Sequence, residues 1–267
     1  MPFTPAHIAA VIPLRKRWNL IWSALIVGSV APDFEYFLTL GPHTHRLHAF
    51  PGVLYLTVPI AFAFLWIFQR FMKSPILEFL PSGIESRIDP APFRFLGMRR
   101  LALIVLSLAI GIGTHLAWDS FTHESTMVTE HLSVEHAKVP LPVVGPKQMY
   151  KVLQYVSSVV GLALVAAYFG LWYSRTSPTH HVQHHHSGAA KIALWTTLTL
   201  VALVFAIWPF YLGYAGQIPW SREIIVLMVV RAMAALFWES LAFSVLVQAR
   251  RQWMIGERTD DSARSTL

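Results

Sequence analysis

The chain has 267 residues, 55% of them hydrophobic and 13% charged, with a formal net charge of +7 and a mean hydropathy of +0.50. That is too apolar for an ordinary soluble domain and reads as a membrane protein, with 10 Trp and 17 Phe as interfacial and lipid-facing side chains. There is no cysteine, which excludes disulfides, thiolate zinc sites, iron–sulfur clusters and a cysteine nucleophile, so any metal must be held by His, Asp, Glu or water.

Short blocks of basic residues beside apolar stretches set membrane orientation and meet anionic lipid; no aromatic–basic interleaving points to nucleic acid. At the N-terminus the sequence predicts a helical hairpin. Thr4 as N-cap with Pro5 at the first helical position starts one helix, and a second runs from about Asn19 to Pro32. The arms are ~15 and ~18 Å long, so an antiparallel hairpin returns His7 to the side of Asp33. Its tip carries Arg15, Lys16 and Arg17, and it either lies in the interface or is tucked among the spans with the tip reaching cytoplasmic water. The competing reading is a cleavable signal peptide ending in Ser29-Val-Ala31, with fourteen residues ahead of its basic cluster.

Five apolar stretches come next that can span ~30 Å of hydrocarbon, at roughly 53–69, 101–118, 156–173, 192–215 and 224–247. Arg70, Lys73, Arg87, Arg94, Arg99 and Arg100 load the first connection, Arg175 and Lys191 flank the third, and Arg250, Arg251, Arg258 and Arg264 load the tail. By the positive-inside rule these are cytoplasmic. The connections 119–155 and 216–223, and the segment before residue 53, then face outward.

The second stretch ends in Gly113-Thr-His-Leu-Ala-Trp-Asp-Ser-Phe-Thr-His-Glu124, which puts His115, Asp119 and His123 on one helix face. His115 and His123 are ~12 Å apart along a straight helix, too far to share one ion. His115 and Asp119 can share one, and His123 serves a second. His43, His45 and His48 precede the first span and land on the same outer side, where the two groups can meet.

The quartet Phe3-Thr-Pro-Ala-His7, Ala31-Pro-Asp33, His45-Arg-Leu-His48 and Thr114-His115-Leu-Ala-Trp-Asp119-Ser-Phe-Thr-His123 resembles bacterial uncharacterised multi-pass membrane proteins. These are similar to inner-membrane metal-dependent hydrolases and, more distantly, to zinc-dependent phospholipase C. The resemblance covers roughly residues 1–125. It implies that His7 is the early His ligand, Asp33 the Asp after it, and His48, with His45 the alternative, the next His. His115 and Asp119 match the helical pair whose Asp bridges two metals. The downstream His-x-x-x-Glu pair of that family corresponds to His131 and Glu135, at a shorter interval than the family's.

The resemblance thus implies a dinuclear centre, of zinc or else manganese or iron, on an all-α fold in a bacterial cytoplasmic (inner) membrane. Its substrate would be a lipid or lipid-linked phosphoester at headgroup level, cleaved through a metal-activated water, with Asp33 or Glu124 as general base and Asp119 in the catalytic set. The second hypothesis is a non-catalytic membrane protein whose residues hold metal structurally or pass it across the bilayer.

The remaining features have duller explanations beside their functional ones. His180, His181, His184, His185 and His186 form a run on a cytoplasmic connection, either a metal-capturing segment or a solvated loop. Arg231 and Glu239 lie inside the last span, ~12 Å apart; Arg231 is a candidate for a substrate phosphate, unless each is neutralised by another helix. The proline-bearing connection 70–100 is irregular, with a short helix near Ile76–Phe79, and 256–267 is a disordered tail. The expectation is therefore an all-α bundle of about five spans after an N-terminal hairpin. It forms one domain over 1–255, with a metal-site half at 1–125, three further spans in 150–250, an outward site and a cytoplasmic C-terminus.

Overall fold

The computed structural model describes residues 3–40, 47–48, 51–124, 126–131, 137–140, 145–179, 186–216 and 223–265. The fold is all-α. The helices are α1 (Thr4–Leu14), α2 (Trp22–Val30), α3 (Phe34–Thr39), α4 (Val53–Phe79), α5 (Ser82–Glu85), α6 (Met98–Thr122), α7 (Met127–His131), α8 (Met149–Arg175), α9 (Gly188–Tyr214) and α10 (Glu223–Ser265). One antiparallel pair of two-residue strands, β1 (Lys138–Val139) and β2 (Lys147–Gln148), sits between α7 and α8.

Among the described residues, five helices are long and apolar enough to cross a membrane: Val53–Phe79, Met98–Thr122, Met149–Arg175, Gly188–Tyr214 and Ile224–Met254. They coincide with the five expected spans, and each is longer than hydropathy alone suggested. The helix expected near Ile76–Phe79 is the end of α4. Likewise α10 continues in backbone to Ser265, through most of the tail expected to be disordered.

The chain packs as two compact units: Met1–Glu35, His45–Leu65 and Arg94–Thr176 form the first, and Tyr36–Thr44, Trp66–Phe93 and Ser177–Leu267 the second. Helix α8, expected among the three later spans, packs in the first unit.

In the first unit α1 and α2 form the expected hairpin around Val11, Leu20 and Leu25, with Ile8, Leu14, Trp22 and Ile110 against them. The hairpin is tucked against α6 and α8. Phe3 N–H donates to Ser158 Oγ (3.0 Å), Ile21 N–H donates to Ser107 Oγ (2.9 Å), and the Arg15 guanidinium lies over the Tyr168 ring at 5.6 Å. Its basic tip thus points toward the helix ends that carry Arg99, Arg100 and Arg175. Trp18 and Asn19 turn the chain there at φ 51° and 55°.

Glycines allow this close packing. A Cβ on Gly28 would strike the Leu108 carbonyl oxygen, one on Gly111 would come within 2.5 Å of the Leu25 oxygen, and one on Gly161 within 2.7 Å of Ala6 Cβ. With water absent, van der Waals contact between backbones is what holds such helices together.

In the second unit α4 carries Pro75, which cannot donate a hydrogen bond to the carbonyl of Phe71. The helix widens into a π turn at Phe68–Met72, and Gln248 Nε2 donates to the carbonyls of Phe71 (2.6 Å) and Arg70 (3.2 Å). Glu78 pairs with Arg251, and Glu85 with Lys191 at 3.3 Å.

Candidate metal centre

Five of the expected ligands converge in the first unit, carried there by four separate segments of the chain. His7 ends the opening 3-10 turn of α1, and Asp33 ends the 3-10 turn that Pro32 imposes after α2. His115 and Asp119 share the inward face of α6 at i, i+4, and His48 comes directly after Leu47. His7, Asp33 and His115 are fully buried, and Asp119 nearly so.

His48 Nε2 lies 3.4 Å from Asp33 Oδ1 and 3.7 Å from Asp119 Oδ2. His115 Nε2 lies 3.6 Å from Asp33 Oδ1 and 3.2 Å from Asp119 Oδ2. Two nitrogens and two oxygens therefore alternate around a ring. On the other side of the Asp119 carboxylate, Oδ1 faces His7 Nε2 at 3.5 Å and His123 Nδ1 at 3.6 Å. The His7 and His115 rings stack at 3.8 Å between centroids, 20° from parallel.

Most of these atoms lack ordinary partners. His7 Nδ1 and Nε2, Asp33 Oδ1, His115 Nε2 and both Asp119 oxygens are buried and make no regular hydrogen bond among the described residues. Two buried carboxylates so placed carry a desolvation cost that a positive charge among them would offset. Burial, and then His115 beside it, hold His7 down to about 4, so it is a neutral imidazole with a lone pair to give.

The chemistry of the donor set fits a cation. Two ligands ~2.1 Å from a tetrahedral ion stand ~3.4 Å from each other, and the four ring contacts span 3.2–3.7 Å. His7, Asp33 and His115, and also His48, His115 and Asp119, bring ligand atoms together closely enough to hold an ion. The tautomer of His115 is set as well: its Nδ1 lies 2.8 Å from the Ser29 carbonyl oxygen, which can only accept. The proton sits on Nδ1, and Nε2 presents its lone pair to the cluster.

The structure also reassigns some residues. Thr4, expected as the N-cap, makes no cap hydrogen bond; Phe3 holds that position, and Thr4 Oγ1 donates to Asp33 Oδ2 at 2.6 Å. His123 is the C-cap of α6, with Nδ1 3.2 Å from the Asp119 carbonyl oxygen. Burial lowers its pKa from the usual histidine value. Glu124 is exposed and accepts a hydrogen bond from the Tyr150 hydroxyl at 2.8 Å. His131 is exposed on α7. His43, His45, Glu135, His180, His181, His184 and His185 lie outside the described residues.

Arg231 and Glu239 belong to the second unit, where Arg231 Nε and both Glu239 oxygens are buried with no hydrogen bond among the described residues. His186, in the same unit, stacks on Phe79 at 4.1 Å with Nε2 3.8 Å from Glu78 Oε2. Sequence reasoning missed Ser29 and Glu35 beside the site. A backbone acceptor has no side-chain signature, and Glu35 is distinguishable only once its neighbours in space are known.

Fold and site together define a multi-pass helical membrane protein with a buried His/Asp cluster able to hold a metal ion. The chain belongs to the family described as Domain of unknown function (DUF4184), whose model matches residues 1–245. No curated protein and no solved structure matches it.

Proposed function

We propose that this protein is a membrane-embedded metal-dependent hydrolase acting on a phosphoester of a lipid or lipid-linked molecule. The observation that carries it is the Asp119 carboxylate, buried with its two oxygens facing different imidazoles, Oδ2 toward His115 and Oδ1 toward His7. Such a carboxylate can serve two ions at once. The stacked imidazoles put their in-plane lone pairs side by side at a ring separation of 3.8 Å, and dinuclear hydrolytic centres keep their ions ~3.5–4 Å apart.

A first ion would be held by His48, His115, Asp33 and Asp119. A second would draw on His7 and the other oxygen of Asp119, with His123 at the rim. Bound there, two such cations would supply a clamp for a phosphate, a water of pKa near ~7 and charge stabilisation at the attacking and leaving oxygens. Nitrogen and carboxylate ligands without sulfur suit zinc, manganese or iron, and the near-tetrahedral spacing favours zinc.

The remaining chemistry belongs to the chain's own groups. Asp33, within the cluster and accepting from the Thr4 hydroxyl at Oδ2, and Glu124, at the exposed edge and accepting from Tyr150, are the two candidates for general base. By the positive-inside rule the site faces outward.

The test is metal content by plasma mass spectrometry on detergent-purified protein, with His180, His181, His184 and His185 replaced throughout to remove adventitious ligands. The expected result is about two equivalents in the parent, a clear loss in a folded Asp119→Ala variant, and hydrolysis of a phosphodiester probe by the loaded parent alone. Metal without turnover of any phosphoester would instead favour a structural or transport site. A parent that takes up no zinc or manganese would end the hydrolase reading.

A further inference from the structure

We propose that Glu35 and Thr57 are positioning residues that hold His48 in the metal centre by gripping the peptide before it; this rests on His48 being a ligand of the proposed centre. Every other ligand in the cluster is carried by a helix or by a 3-10 turn continuous with one. His48 comes directly after Leu47 between α3 and α4, outside both helices.

Its place is set through Leu47 instead. The Leu47 N–H donates to Glu35 Oε2 at 3.3 Å, and the Leu47 carbonyl accepts from Thr57 Oγ1 at 2.8 Å. Both backbone polar groups of Leu47 are thus taken by side chains from two different helices, α3 and the opening π turn of α4. Glu35, Leu47 and Thr57 are all buried, so neither contact is a surface accident. A buried carboxylate accepting from a backbone N–H makes a charge-assisted hydrogen bond, stronger than a neutral one.

The chain also links the grip to the ligands directly. Asp33 is two residues before Glu35, on the 3-10 turn that leads into α3, so the same short segment supplies one ligand and fixes another. His48 is less buried than His115, the other imidazole that faces both Asp33 and Asp119. Outer groups that orient a ligand typically change metal affinity 10–100-fold when removed.

The experiment is zinc affinity by competition with a chromogenic chelator, on the full chain in detergent. The variants are Glu35→Ala, Glu35→Gln, His48→Ala and the Glu35→Ala/His48→Ala double. Glu35→Ala is expected to weaken zinc binding 10–100-fold. Glu35→Gln, whose amide oxygen still accepts from Leu47, should stay close to the parent. Once His48 is gone, removing Glu35 should cost nothing more, because Glu35 acts through it.

Parent-like affinity in Glu35→Ala beside a loss in His48→Ala would overturn the grip and leave the metal centre standing. The same holds if Glu35→Ala weakens zinc equally in the His48→Ala background, which would be general damage. Should Glu35→Ala fail to fold, Thr57→Val carries the same cycle with the isosteric loss of one hydroxyl. A parent that binds no zinc, or a His48→Ala variant with parent affinity, removes the ligand role itself and the proposal with it.

Discussion

At the scale of single residues, the centre depends on where protons and lone pairs are placed. His115 can serve as a ligand only through Nε2, because Nδ1 is committed to the Ser29 carbonyl, and His7 is held neutral by its burial. Asp119 then joins the two imidazoles. Zinc binding to the folded chain should therefore raise its thermal stability. At free zinc one hundred times the dissociation constant, one site contributes ~2.7 kcal/mol. Unfolding followed by tryptophan fluorescence should show this rise in the parent and its absence in Asp119→Ala; an equal rise in both would place the zinc elsewhere. His123 shows how one residue type serves two ends. Its helical spacing marked it as a ligand, and it is in addition the C-cap of α6, with Nδ1 turned to the carbonyl four residues back.

Between helices, the site exists because α2 and α6 touch backbone to backbone. Gly28 and Gly111 have no room for a methyl group at their crossing, and that closeness brings the Ser29 carbonyl to His115 and Asp33 to the face of Asp119. A pair of variants on one helix separates packing from propensity. Gly111→Ala must push backbone aside and should cost ~1–3 kcal/mol, with loss of metal as Ser29 withdraws. Gly113→Ala meets nothing within 4 Å and should be neutral or stabilising by up to about 1 kcal/mol through helix propensity alone. Thermal midpoints and metal content of both, in the same detergent, check this. A Gly111→Ala variant as stable and as metal-loaded as the parent would mean the crossing does not position the ligands.

For the molecule in its membrane, the centre sits near the end of α6 opposite Arg99 and Arg100, and the hairpin tip with Arg15, Lys16 and Arg17 points the other way. On the proposed orientation, which follows the positive-inside rule, the candidate centre would face the outside. The absence of native cysteine makes the test direct. In intact cells a membrane-impermeant maleimide should label Lys138→Cys, in the strand pair after the centre, and should spare Ser177→Cys, past the end of α8. The reverse pattern would invert the protein and put the centre on the cytoplasmic side.

The spans, the hairpin and the candidate ligands of the centre were legible in the chain, since apolar runs, basic flanks and an i, i+4 His/Asp pair are local patterns that survive without tertiary context. His7 beside Asp33 came from near-equal arm lengths, a simple consequence of helical rise. Other features were decided only in three dimensions: the π turns before Pro59 and Pro75, the length of α4, the packing of α8 with the hairpin, and the roles of Ser29, Thr4, Glu35 and Thr57. Each of these depends on which backbone group lies unsatisfied next to which side chain. Such pairings are set by the approach of segments distant in sequence, and no periodicity along the chain encodes them.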